Sequence, residues 1–220
     1  MRITIGYLYY DLLNLNGENG NIKILKNQLE KQGIQVEVVL ITTTNIIEPE
    51  KYDLLYMGGG TENNLKIAEK HFIKYQVAIK KAIENHKFFL VTGNALDLFG
   101  NDGIKFFNFI TLKSKKYIKE VAFESKFLAK PLVGLLNQET DIIRVEHPFF
   151  IDSDEGVHYN NFFGTKLFGP LFAKNPYFLE YFMKQLILYK NQFTTLKPLE
   201  FKYEEMAYLN YQRLTKNNLV

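Results

Sequence analysis

The sequence predicts an α/β protein with a flavodoxin-like three-layer sandwich, a mostly parallel sheet between helices with an antiparallel extension in the second half. In the first hundred residues, short segments rich in β-branched and aromatic residues alternate with segments of helical periodicity. This alternation is typical of a parallel sheet covered by helices on both faces. In the second half, short apolar segments are separated by Lys, Ser and Pro, which favours antiparallel strands.

The first half contains four predicted strands and two predicted helices. The strands cover residues 3–9, 36–41, 52–57 and 88–91, each an apolar run bounded by polar or glycine residues. A helix is predicted over 21–32, with Gly33 placed to end it. A second, long helix carries apolar residues on one side from Leu65 to Ile83.

The second half predicts shorter elements. Strands are expected at 106–112, 117–123 and 132–136, and a further strand pair at 157–163 and 165–168. Asn175 and Pro176 predict a helix start, with Asn175 as its cap and Pro176 at its first position. A last helix is predicted over about 198–214. Without repeats or a linker, residues 1–220 are expected to form one domain.

Composition excludes several classes of function. The formal charge of +3 is far from the dense positive field of a nucleic-acid-binding protein. The absence of cysteine excludes disulfides, thiolate metal sites and a cysteine nucleophile. No signal-peptide pattern and no apolar run of ~20 residues occurs, so we expect a cytoplasmic protein that is not embedded in a membrane. No histidine or carboxylate spacing indicates a metal site, and no cofactor is expected.

Three loops follow predicted parallel strands, at 13–21, 58–65 and 92–97, where open α/β sheets place their sites. The glycine triplet at 58–60 either exposes backbone N–H groups to an anion or makes a tight turn. The candidate ligand-binding residues are Gly58, Gly59, Gly60, Thr61, Asn94 and Asp97.

The segment 91–100 has the strand–turn–helix layout that holds a nucleophile at the end of a sheet. Gly93 or Asn94 stands where such a nucleophile would be. Asn94 can bind a ligand or cap the following helix, and capping is favoured. Thr92 carries the nearest hydroxyl, and because no base is evident nearby we expect a strand-end role for it.

Five segments together resemble a known family. They are Leu13-Asn14-Leu15 with Gly20-Asn21-Ile22, the glycine turn at 58–62, the elbow at 89–100, the segment 156–170, and a weaker match at Val133, Gly134 and Asn137. In this order they resemble the class I glutamine amidotransferases of the cobyric acid synthase type, from residue 3 to about 190. The resemblance implies a domain that takes ammonia from glutamine and passes it to a Mur-ligase-like partner in cell-wall precursor synthesis.

Carried over onto this chain, the resemblance leaves no catalytic residue. The family's nucleophilic cysteine falls on Gly93 and its catalytic histidine on Phe168. A substrate-seating glutamine falls on Leu65, and the elbow glutamine falls on Asp97. The resemblance therefore implies a binding or scaffolding subunit without glutaminase activity, with a Mur-ligase-like protein as a partner and a small molecule as a possible ligand.

Two alternatives remain open at this point. In the first, the chain is an enzyme of altered chemistry that acts on an amino acid or small anion in the same pocket through Thr92 or Asp97. In the second, it contributes only architecture to a ligase that uses free ammonia. The aromatic residues of the last two helices, such as Tyr177 and Tyr208, predict a partner surface in either case.

Overall fold

A six-stranded sheet forms the centre of the protein. The computed structural model describes residues 1–191 and 196–217. The strands of this sheet are β1 (Arg2–Leu8), β2 (Gln35–Ile41), β3 (Leu54–Met57), β4 (Phe88–Thr92), β7 (Gly156–Tyr159) and β8 (Phe162–Thr165). Their order is β2-β1-β3-β4-β8-β7, with every pair parallel except β7 with β8. The five parallel strands have the flavodoxin-like order, so the predicted fold class is confirmed.

Helices cover both faces of this sheet. They are α1 (Asn19–Lys31), α2 (Glu62–Phe72), α3 (Gln76–Glu84), α4 (Leu171–Lys174), α5 (Pro176–Lys190) and α6 (Lys202–Asn217). Neighbouring residues of a strand point to opposite faces, and the core divides accordingly. Leu54 packs in the cluster that includes residues of α1 and α5, whereas Leu55 packs in the cluster that includes residues of α2 and α3.

A long hairpin forms a second, two-stranded sheet. It consists of β5 (Ile110–Phe123) and β6 (Leu132–Ile143), which pair antiparallel with a register shift between Lys113 and Tyr117. The predicted strand at 132–136 lies within β6, but the division into strands at 106–112 and 117–123 was wrong, because the lysine-rich run is accommodated as a bulge within the continuous strand β5. An isolated bridge between Leu135 and Phe168 connects the hairpin to the segment after β8.

Several predicted helix boundaries were also wrong. The single long helix is divided into α2 and α3 by a 3-10 turn at Ile73–Tyr75. α5 begins at Pro176 as predicted, but Asn175 makes no capping hydrogen bond. Its side chain instead bonds both backbone groups of Val133, at 2.8 Å each, and so ties α5 to the hairpin. α6 begins at Lys202 rather than near residue 198.

The aromatic residues of the last two helices serve mainly to pack these helices. Phe178, Phe182 and Tyr208 are buried, and Tyr177 hydrogen-bonds Glu205, which joins α5 to α6. The three buried rings therefore do not contribute to the predicted partner surface, whereas Tyr177 is half-buried. No helix within the described ranges is long and apolar enough to cross a membrane.

Candidate functional site

A cleft of about 700 Å³ lies at the carboxyl ends of the parallel strands. Open α/β sheets place their ligand sites at this edge. Gly60, Asn94 and Phe168 line it from the sheet side, α2 contributes one wall, and the β5–β6 hairpin contributes the other. Of the six predicted ligand-binding residues, Gly60, Thr61, Asn94 and Asp97 line the cleft, whereas Gly58 and Gly59 do not.

Gly93 and Phe168 meet at the base of this cleft. β4 ends at Thr92, and Gly93 follows with a φ of +64°, in the left-handed region that favours glycine. A Cβ atom on Gly93 would lie 3.0 Å from Phe168 Cε1 and 3.2 Å from Gly59 Cα. The aromatic ring therefore fills the space where the elbow residue would place a side chain.

The side chain of Asn94 is bonded to the glycine turn. Its Oδ1 accepts from Gly60 N at 3.0 Å, and its Nδ2 donates to Gly60 O at 2.8 Å. The prediction that Asn94 caps the following helix was wrong, because its amide pairs with both backbone groups of Gly60. An anion at the turn would have to displace Asn94 from the Gly60 N–H.

The rest of the glycine turn is packed tightly. A Cβ on Gly58 would lie 2.7 Å from Leu13 O, and one on Gly59 would lie 2.8 Å from Phe168 Cε1. Thr61 is the N-cap of α2, where its hydroxyl accepts from Asn64 N at 3.3 Å. These contacts support the tight-turn interpretation of the triplet rather than the anion cradle.

Asp97 forms an ion pair with a lysine that the sequence analysis missed. Lys166 is fully buried, and its Nζ lies 2.7 and 2.8 Å from the two Asp97 carboxylate oxygens. The same ammonium donates to Thr140 Oγ1 at 2.9 Å. The sequence feature that could have revealed this buried charge is the position of a lysine inside the apolar segment 162–168. Because its charge is compensated, Asp97 is a weak site for a cationic ligand.

A buried acid, Glu18, was also missed, and its carboxylate is bonded to the backbone of the residue that follows Phe168. Glu18 is fully buried, and its carboxylate accepts hydrogen bonds from Thr92 Oγ1, from Tyr56 Oη at 2.9 Å and from Gly169 N at 2.8 Å. Burial raises the pKa of this carboxyl from its ordinary value of 4.5 to about 7, although these hydrogen bonds oppose the shift. Glu18 is the one ionisable residue of the loop at 13–21, and this was the feature that could have drawn attention to it.

Glu18 overturns the expectation that Thr92 has no base nearby. Thr92 donates its hydroxyl hydrogen to Glu18 and lies 3.2 Å from Tyr56 Oη. Both Thr92 and Glu18 are fully buried, however, and neither lines the cleft. The pair has the chemistry of a hydroxyl with a general base but no access to a substrate.

The hairpin wall contains a third polar cluster. Gln138 Nε2 lies within hydrogen-bond distance of three acceptors, which share its two hydrogens: Tyr117 Oη at 2.7 Å, Asp141 Oδ1 at 3.1 Å and Glu155 Oε2 at 3.1 Å. Burial raises the pKa of Glu155 to about 7. No group of three histidine, aspartate or glutamate residues in the described part of the chain is arranged to hold a metal ion.

The sequence of this chain is similar to the sequences of two known proteins. No protein-family model matches the chain. It is 28% identical over 204 residues to GatD, a subunit of the glutamine-hydrolysing lipid II isoglutaminyl synthase of Staphylococcus aureus, with 83% of this chain and 84% of that protein covered. It is 24% identical over 198 residues to the GatD of Streptococcus pneumoniae, with 79% and 76% covered.

Among solved structures, a glutamine amidotransferase from Thermotoga maritima matches 99% of this chain and 92% of its own. At 12% identity and a TM-score of 0.48, this likeness adds no argument. The sequence similarities extend over most of both GatD chains and support a glutamine amidotransferase-like protein close to GatD.

Proposed function

We infer that this chain is a relative of GatD, of the cobyric acid synthase type, that has lost glutaminase activity. It acts as a binding or scaffolding subunit in cell-wall precursor metabolism, in the cytoplasm, with residues 1–220 as one domain. The relatives are subunits of a glutamine-hydrolysing lipid II isoglutaminyl synthase, which supports the metabolic setting.

The observation that carries this proposal is the contact between Phe168 and Gly93. Thiol-dependent hydrolysis needs a nucleophile and a base within hydrogen-bond reach of each other. The chain contains no cysteine, and at the family's two catalytic positions stand a residue without a side chain and a phenyl ring. The ring also fills the volume that a thiol would need.

Asn94 supports the same conclusion by a second route. Acyl-transfer enzymes stabilise the developing oxyanion with free N–H groups, which are aimed at it before the reaction begins. In this chain the Gly60 N–H already donates to Asn94 Oδ1 at 3.0 Å. A transition state would have to break this bond before it could gain any stabilisation from that donor.

An enzyme of altered chemistry is the second candidate, and the Thr92–Glu18 hydrogen bond favours it. A carboxyl with a pKa of about 7 is well suited to act as a general base near neutral pH. The burial of both residues ranks this candidate below the first. If it is correct, Thr92→Val abolishes whatever turnover the wild-type protein has.

The partner that we propose is a Mur-ligase-like chain, as the family resemblance implies. The test is to co-express this protein with such a chain from the same organism and to analyse the pair by size-exclusion chromatography. We expect a stable complex in which ammonium chloride supports amidation of the ligase substrate and glutamine does not. Failure to form a complex would contradict the scaffold role, and amidation supported by glutamine would contradict the loss of glutaminase activity.

A further inference from the structure

Three polar atoms on the hairpin wall of the cleft are buried without a protein hydrogen-bond partner. They are Gln138 Oε1, Thr111 Oγ1 and Ser114 Oγ, and all three residues line the cleft. In the described part of the chain, five buried side-chain atoms lack a partner, so most of them are gathered at this one wall. Buried polar groups are nearly always paired, and a cluster of exceptions therefore points to a missing partner.

The unpaired oxygen of Gln138 is held in place by the other end of its amide. The two hydrogens of Nε2 are shared among three acceptors within 3.1 Å, namely Tyr117 Oη and the carboxylates of Asp141 and Glu155. An exchange of the two amide ends would turn the carbonyl oxygen toward these acidic groups, which is unfavourable. Gln138 is only 5% exposed, but unlike Thr92 and Glu18 it lines the cleft.

The charges around the cleft disfavour an anion and leave only a small net negative charge, because five carboxylates face three lysines and the buried Lys166. Lys66, Lys113 and Lys116 line it together with Glu62, Glu69, Asp97, Asp102 and Glu139. Lys116 lies 3.6 Å from Glu139, and Lys166 compensates Asp97 from below. The Gly60 N–H, which would otherwise attract an anion, is bonded to Asn94. A neutral ligand avoids the cost of bringing a net charge into this mixed field.

We propose that the outer part of the cleft binds a small neutral ligand that carries several hydroxyl or amide groups, against Thr111, Ser114 and Gln138. Such groups both donate and accept, as two hydroxyls and a carbonyl oxygen require. Thr111 and Ser114 are half-buried residues of the cleft lining, and rotation about χ1 between staggered positions changes the direction of each hydroxyl. The inference rests on the proposed binding role of this cleft. A saccharide-type polyol and an uncharged peptide-type amide share the required chemistry.

Saturation-transfer NMR on the full-length protein tests this site. The probes are D-glucose as a polyol, N-acetylalaninamide as an uncharged amide, methylammonium chloride as a cation, and sodium phosphate, observed by ³¹P line broadening, as an anion. We expect binding by one or both neutral probes. The probe that binds more tightly shows whether the ligand is a saccharide-type polyol or an uncharged peptide-type amide. Binding by either charged probe alone, or by no probe, would overturn the proposal.

Substitutions at the hairpin wall test whether the probe binds there. The double variant Thr111→Val with Ser114→Ala removes both hydroxyls, and we expect the neutral probe to bind about tenfold more weakly or not at all. Ser125→Ala is the matched control, because Ser125 Oγ is also buried and unpaired but lies outside the cleft. Gln138→Met serves as an independent variant if the double variant does not fold.

Undiminished binding by the double variant, or an equal loss in Ser125→Ala, would overturn the assignment. Failure here is distinguishable from failure of the proposed function. Ammonia release from glutamine would refute the loss of glutaminase activity without affecting the binding of neutral probes.

Discussion

Two polar regions lie near Phe168, and they differ in how completely they are hydrogen-bonded. In the first, the Glu18 carboxylate is bonded to Thr92, Tyr56 and Gly169 and is sealed from the cleft. On the hairpin wall, by contrast, three buried polar atoms have no protein partner. A completed buried network stabilises one conformation, whereas an incomplete one at a cleft indicates a ligand. The first region is therefore interpreted as structural and the second as functional.

Glu18→Ala should have the largest effect. It leaves the Tyr56 hydroxyl, the Thr92 hydroxyl and the Gly169 N–H without their acceptor in a buried site, at an expected cost of about 3 kcal/mol in the free energy of unfolding. Urea denaturation measures this cost. Glu84→Ala, at an exposed position of α3, is the control and should change stability by about 0.5 kcal/mol or less. Equal costs for the two variants would contradict the structural role of Glu18.

Glu18→Gln should change how stability depends on pH. The folded protein holds the Glu18 proton more tightly than the unfolded chain, because burial raises the pKa from 4.5 to about 7. This residue therefore destabilises the fold progressively as pH rises from 4.5 to 7, by about 2.5 kcal/mol between these two pH values. In Glu18→Gln that contribution is absent, so the variant gains stability relative to wild type as pH rises through this range.

The difference between the two proteins is the quantity to measure, by urea denaturation at several pH values. Burial lowers the pKa of His158 to about 4, so His158 opposes Glu18 in the wild-type curve but cancels in the difference. A difference that stays constant from pH 4.5 to 8 would show that folding does not raise the pKa of Glu18.

Gly93→Ala should have an intermediate effect that depends on Phe168. The new methyl group meets the ring at 3.0 Å and requires a left-handed φ of +64°. We expect a cost of about 2 kcal/mol in the wild-type background and a smaller cost when Phe168 is also alanine. A double-mutant cycle measured by thermal unfolding gives the coupling. Strictly additive costs would show that the ring does not fill the space above Gly93.

The double variant Thr111→Val with Ser114→Ala should have the smallest effect on stability. Removing a hydroxyl that has no protein partner loses no hydrogen bond, so we expect a change within about 0.5 kcal/mol of wild type, or a slight stabilisation. The same urea titration applies. A loss as large as that of Glu18→Ala would show that the hairpin wall is structural, like the region around Glu18.

The sheet and its edge could be predicted from the sequence because they depend on local patterns. Apolar segments gave β1, β3 and β4, and the loops after them marked the edge where the cleft lies. The meeting of Gly93 with Phe168 followed from the family resemblance, and the structure places them in contact.

The polar interior of the site could not be predicted, because its bonds join residues far apart in the chain. Glu18 reaches Thr92 across 74 positions, and Lys166 reaches Asp97 across 69. Local propensity has no information about such pairs. The same is true of Asn94. Its residue type favours a helix cap, but in the fold its side chain pairs instead with the backbone of Gly60, 34 positions away.

The most direct test of the central claim follows the amide nitrogen of glutamine. Glutamine labelled with ¹⁵N at its side-chain amide is incubated with a stoichiometric amount of the protein, alone and with the Mur-ligase-like chain that we propose as its partner, and observed by NMR. The account predicts that the amide signal persists unchanged in both samples. Appearance of ¹⁵N-ammonium in proportion to the protein, and its absence after heat inactivation, would contradict the account.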